Sequence, residues 1–221
     1  MRGNLLVVFA GPDDPAASAL AAAWPGEIAV VSARDLSSPG WHLAVGHPGE
    51  SRLTVAGRRI AADELAGVVT RVGWIGPGEL SWIAEEERDY VAAEMHAFML
   101  AFLDQLPCPV LNRPTAGCLA GPVHRPAVWR AAALRAGLQL ATPDEPPVHR
   151  LSIVGDSCFG TPDRGVARSA LALAHRAGAP LLALEMAGDA KTPRFVGAHP
   201  FIDIGDPLLA RAVSAAVARP S

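Results

Sequence analysis

Four side chains in the last third of the chain, Arg150, Glu185, His199 and Asp203, are of the types from which anion binding, acid–base and metal chemistry are built. Arg150 opens the apolar run Leu151–Val154. A guanidinium there suits a phosphate or carboxylate, which it grips through parallel N–H donors, or a carboxylate of its own chain across a cleft. Glu185 lies within a second apolar run. His199 and Asp203 flank Pro200-Phe201-Ile202, a spacing that allows acid–base work or simple structural placement. Two further candidates for substrate or anion reading are Glu94, a carboxylate in an otherwise apolar helical stretch, and Arg113, in the turn Asn112-Arg113-Pro114.

Other chemistries lack their signatures. Gly11-Pro12-Asp13-Asp14 follows the first apolar run but lacks both phosphate-loop patterns, and its aspartates repel anions. His42 and His47 lie in a loop-like stretch without a third spaced ligand, so they are expected as surface residues. Cys108, Cys118 and Cys158 show no CxxC spacing and no activating partner, and buried inert thiols are expected. No GxSxG elbow is present. Lys191 is the single lysine, leaving one candidate for an ammonium on a nucleotide phosphate. Trp24, Trp41, Trp74 and Trp82 crowd the first half, either as a recognition surface or as packing beneath loops.

The elements that must position these groups follow from periodicity and punctuation. Leu5–Ala10, the alanine-rich stretch 16–24 and the run 28–31 read as strand, helix and strand, the unit from which parallel sheets grow. Residues 52–60 read as a hairpin and 68–72 as a strand. The clearest helix spans 85–106, with Val91, Met95, Phe98, Phe102 and Leu106 on one apolar stripe. A short strand at 109–111 and a helix at 127–135 closing at Gly137 follow. After the hinge Pro143-Asp144-Glu145-Pro146-Pro147, a hairpin turns at Gly155-Asp156. A helix at 167–176, strands at 181–186 and 195–198, and a helix at 207–218 complete the chain.

Hydrophobic residues make up 50% of the 221-residue chain, enough for a substantial core. Charged residues make up 19% with a formal net charge of −3, which leaves no basic footprint for nucleic acid. No apolar run approaches the length of a membrane span, and the odd set of cysteines suits a reducing compartment, so a soluble, cytoplasmic protein is expected.

Glu94, then Cys108-Pro109-Val110-Leu111-Asn112-Arg113-Pro114, then Leu134-Arg135-Ala136-Gly137-Leu138 and Pro143 together resemble the pre-ATP-grasp region of peptide-modifying ATP-grasp ligases, the microviridin-type peptide-cyclising enzymes above all. His149-Arg150-Leu151-Ser152-Ile153-Val154-Gly155-Asp156 is similar to the hairpin that follows that family's central domain. The resemblance implies an α/β fold: a parallel-sheet, Rossmann-like pre-ATP-grasp layer (1–142) followed by a reduced α+β C-terminal subdomain (148–221), packed as one compact unit. It also implies a missing part. The family's ATP-clamping central domain has no room between Pro143 and Val148. Its metal-binding Glu-x-Asn falls on Gly197-Ala198-His199, while Glu185 stands where it has an earlier acidic ligand. The metal candidates that the resemblance implies are therefore Glu185 and His199.

The expected function is that of a degenerate, non-catalytic ATP-grasp-like binding or accessory subunit in peptide modification or small-metabolite biosynthesis. No cofactor is expected, and a peptide, a partner enzyme or a second copy meeting through the N-terminal region would be its partner. The alternatives are an active ATP- and Mg-dependent carboxylate–amine ligase, completed by a partner chain that supplies the missing domain, or a small enzyme reusing Arg150, Glu185, His199 and Asp203 in the shortened cleft.

Overall fold

The computed structural model describes residues 3–11, 13–36, 39–160, 162–189 and 192–218. The continuous apolar run LLVVF forms β1 (Leu5–Phe9), buried at every position as expected for a strand covered on both faces. Pro15 opens α1 (Pro15–Ala23), and Asp14 caps it by accepting from the Ala16 N–H at 2.9 Å. β2 (Glu27–Val31) and the single turn α2 (Ala33–Leu36) come next. The hairpin β3 (Arg52–Val55) and β4 (Arg58–Ala61) turns at Ala56-Gly57, both at positive φ, the geometry that a two-residue hairpin favours. β5 (Leu65–Thr70), α3 (Arg88–Gln105) and β6 (Val110–Leu111) follow.

β1 pairs in parallel with both β2 and β5, and β5 in parallel with β6, giving the order β2-β1-β5-β6. This is the crossover arrangement that the first strand–helix–strand pattern foretold. The fully buried stripe of α3 runs through Ala92, His96, Met99, Phe102 and Leu103. Met95 and Phe98 are only partly buried, Phe98 edge-on to Trp41, so the stripe is rotated from the expected one. Apolarity alone locates the helix but not its contact line, because one buried position is a histidine.

The rest of the chain forms α4 (Pro126–Arg135), β7 (His149–Val154), β8 (Ser157–Phe159), α5 (Arg164–Arg176), β9 (Leu181–Ala187), β10 (Arg194–His199) and α6 (Pro207–Ala218). α4 ends as predicted: Gly137 sits at φ +89°, and the Leu138 N–H reaches back to the Ala133 carbonyl at 3.0 Å. β7–β10 form an antiparallel sheet in the order β10-β9-β7-β8. Leu151, Ile153, Leu182, Leu184 and Met186 turn to a core shared with Trp129, Leu173 and Phe195.

Contacts divide the chain into two units elsewhere than at the 143–147 hinge. One holds the residues up to Gly121 together with those from Ile204, and the other holds Pro122–Asp203. α4 joins the second unit because it packs on β10 and α5. α6, expected with the second module, joins the first because it packs on α1 and β5. Ser214 Oγ donates to the Ala23 carbonyl at 3.1 Å. At Gly67 the approach is so close that a Cβ would lie 2.5 Å from Val217 Cγ1, so glycine there admits the helix to the strand backbone. No helix among the described residues is long and apolar enough to cross a membrane.

Candidate functional site

The period-two alternation that buries Leu151 and Leu184 in the second unit turns Arg150 and Glu185 to the opposite face. The two are direct cross-strand partners on β7 and β9. Arg150 Nε donates to Glu185 Oε1 at 2.9 Å, and its Nη2 lies 2.8 Å from the same oxygen. On the other side of β9, Glu185 is opposite Gly197, where a Cβ would meet nothing within 4 Å. Across this open place His199, paired with Ala183, brings Nε2 to 3.2 Å from Glu185 Oε1.

The histidine's tautomer follows from its other nitrogen. The Phe201 N–H donates to Nδ1 at 3.3 Å, so a neutral ring carries its proton on Nε2 and donates to Glu185. Burial pushes the Glu185 carboxyl up, but the donors from Arg150 and His199 outweigh it, and the net shift is below the ordinary carboxylate value. Glu185 is therefore a carboxylate already neutralised by its own chain.

Of the sequence candidates, three converge. Asp203 is exposed on the loop beyond His199. Arg113 spends its guanidinium on the end of α3 in the first unit: Nη1 donates to the carbonyls of Leu103 and Asp104, and Nη2 to that of Leu106. It satisfies the carbonyls that every helix end leaves open. Glu94 is exposed on α3. Lys191 lies outside the described residues. Asp14, expected to repel anions, fills the N-terminal anion position of α1 itself and pairs with Arg71 Nε at 2.9 Å. Burial pushes the Cys108 and Cys158 thiols up to about 11 and raises that of Cys118, which leaves all three poor nucleophiles near neutral pH.

Sequence reasoning missed a second ion pair, which closes the hinge. Arg194 at the start of β10 donates from Nε to both Glu145 carboxylate oxygens at 3.1 Å, and its Nη2 also pairs with Oε1. The pair joins residues too far apart in the chain for any local spacing to announce. Ala141 N–H donates to the Phe195 carbonyl at 2.9 Å and Val148 N–H to the Met186 carbonyl at 2.8 Å, so both ends of Thr142–Pro147 are tied to the sheet. A cleft of about 500 Å³ opens beside this link, walled by His124, Trp129, Arg130, Thr142 and Gly197.

The residues present do not fit magnesium. A cation approaching Glu185 meets a guanidinium on the same oxygen, and the facing position supplies no carboxylate. Among the described residues no group of three histidine, cysteine, aspartate or glutamate side chains is arranged to hold a metal.

No protein-family profile matches the sequence, and no curated protein is similar to it in sequence. Similar folds do occur among solved structures. The macrocyclase MdnC from Microcystis aeruginosa MRC, bound with the precursor peptide MdnA, superposes with a TM-score of 0.73 at 12% identity, over 98% of this chain and 99% of that one. The ATP-grasp ligase PsnB, complexed with a minimal precursor, Mg and ADP, gives 0.66 at 15% identity over 98% and 99%. A RiPP-associated ATP-grasp ligase from Chryseobacterium gregarium, in complex with ADP and a leader and core peptide, gives 0.66 at 9% identity over 98% and 96%. At these identities the likeness is one of fold, and the fold this chain has is that of the ATP-grasp ligases that modify peptides.

Proposed function

We propose that this chain is a non-catalytic ATP-grasp-fold protein that serves as a peptide-binding accessory subunit in peptide modification. The observation that carries the reading is the state of Glu185: the one carboxylate at the expected metal position is spent on Arg150 and His199. Phosphoryl chemistry depends on cations and donors that hold the phosphates in place. Here a cation would first have to displace a guanidinium, and the resemblance puts the family's clamping domain at Thr142–Pro147, a short link with both ends tied to the sheet. The precursor peptides held by the structural neighbours support a peptide as the partner. Self-association would run through the first unit, where Trp74 and Tyr90 are 58% and 70% exposed. A reducing, cytoplasmic setting suits the three free thiols.

Titration calorimetry with Mg-ATP tests the reading, and no saturable heat is expected. Micromolar binding accompanied by turnover would overturn it, as would an active complex formed with a partner that supplies a nucleotide-binding domain.

A second reading, a small enzyme reusing the same groups, is supported by the convergence of Arg150, Glu185 and His199. It requires Arg150 to leave Glu185 for a substrate anion. Its signature is a saturable shift of the Arg150 Nε–H resonance when a substrate carboxylate or phosphate is added. An unmoved resonance across carboxylate and phosphate compounds removes it.

A further inference from the structure

The geometry points to an oxyanion site on the β3–β4 hairpin of the first unit, built to take a phosphate group, free or as a monoester. Leu53, Val55 and Ile60 turn into the core, so the alternate positions share the outer face. The register pairs Arg52 with Ala61 and Thr54 with Arg59, which makes Arg52 and Arg59 diagonal neighbours on that face. Diagonal positions lie roughly 7–8 Å apart, within reach of long side chains. His42 adds a third basic group: it bridges Arg52 through two backbone hydrogen bonds of 2.9 Å, and bridged residues project to the same side.

Two guanidiniums so placed repel each other unless an anion lies between them. Arg58, Arg71, Arg150 and Arg194 all find carboxylates of their own chain. Among the described residues Arg52 and Arg59 form no such pair. They line instead a cleft of about 380 Å³ with His42, Trp41 and Glu50. Glu50 is ion-paired with neither arginine, and one carboxylate against two guanidiniums leaves the cleft net positive.

The backbone around the cleft is held in place. Gly40, at φ +109°, lies so near the arginine face that a Cβ would sit 2.6 Å from Thr54 Oγ1 and 3.1 Å from Arg59 Nε. Thr54 Oγ1 donates to the Pro39 carbonyl at 3.2 Å, and Trp41 Nε1 donates to the Asp35 carbonyl at 3.0 Å. Two forks a strand-diagonal apart suit a tetrahedral group with three acceptor oxygens better than a carboxylate, which one fork already saturates. The site lies on the first unit and does not depend on the proposed function.

The test is an NMR titration of the full chain with inorganic phosphate at fixed ionic strength, following the Trp41 indole N–H. A saturable shift is expected. The Arg52→Ala/Arg59→Ala variant should bind at least about tenfold more weakly, the cost of losing charge-assisted hydrogen bonds. Arg58→Ala, which removes a guanidinium already engaged with Glu27, should bind as the parent does. O-phosphoserine binding more tightly than inorganic phosphate assigns a monoester ligand, the reverse order assigns the free ion, and either order supports the site. Three results overturn it: no saturable shift in the parent, equal weakening by Arg58→Ala, or glutarate binding as tightly as phosphate.

Discussion

Arg150 and Glu185 face each other across adjacent antiparallel strands, with Nη2 2.8 Å from Oε1, and His199 reaches the same oxygen over the vacant side of Gly197. The carboxylate therefore behaves as the centre of a small charge network.

Removing the guanidinium should cost little. The Arg150 side chain is 46% exposed, so solvent screens the pair, and Arg150→Met should lower stability by about 0.5–1 kcal/mol in urea unfolding at neutral pH. The folded-state carboxyl of Glu185 titrates below its ordinary value of 4.5. Its contribution is fully present above that value and is lost as pH falls through the lowered one. The acid limb of the stability curve below 4.5 should thus be shallower in Arg150→Met, and an unchanged limb would show that the pair does not couple to folding.

Placing a carboxylate opposite Glu185 should create cation binding only if the arginine is also removed. Gly197→Glu with His199→Asn places two oxygen ligands across the β9–β10 pairing, in space that a Cβ enters freely. With Arg150→Met added, loss of the free Mn²⁺ electron paramagnetic resonance signal should show binding about tenfold tighter than in the parent. The version that retains Arg150 should remain close to the parent.

His96 is 6% exposed, and among the described residues neither ring nitrogen finds a hydrogen-bond partner; its ring lies 4.7 Å from that of Trp74. Burial lowers its titration point from the ordinary 6.5. The unfolded chain then binds the extra proton first, so stability should decline as pH drops below 6.5 and level off beneath the folded-state value. His96→Leu removes an unsatisfied buried polar group. It should raise stability by about 1 kcal/mol at neutral pH and flatten that decline in denaturant melts between pH 7 and 5.

Asp14 does two jobs, capping α1 and pairing with Arg71, and both side chains are only 16% exposed. Asp14→Ala should cost about 1–2 kcal/mol. Asp14→Asn, which keeps the cap but not the charge, should recover part of that loss. Equal losses in the two variants would assign the whole effect to the ion pair.

What could be read from the residues alone was whatever local pattern dictates. LLVVF had to be a buried strand, Gly137 had to end a helix, and Ala56-Gly57 had to turn a hairpin. Arg150 and Glu185 were legible as candidates because the resemblance puts Arg150 at the start of a hairpin strand and Glu185 at the position of an acidic ligand. Their contact was not, since it depends on β7 and β9 becoming neighbours. The rotation of α3 escaped because a buried histidine looks polar in sequence. The allegiance of α6 escaped because its partners, α1 and Gly67, lie at the other end of the chain. Arg113 resembled an anion reader but serves carbonyls of a helix that ends a few residues before it.

The return of α6 to the first unit also sets an order of events during synthesis. On the ribosome Pro122–Asp203 is complete before the segment that covers Gly67 has been made, so the later-encoded unit has all its pieces first. Until translation reaches Val217, the earlier unit waits with its strand backbone uncovered, a window in which a chaperone or a binding partner meets apolar surface that the finished protein hides.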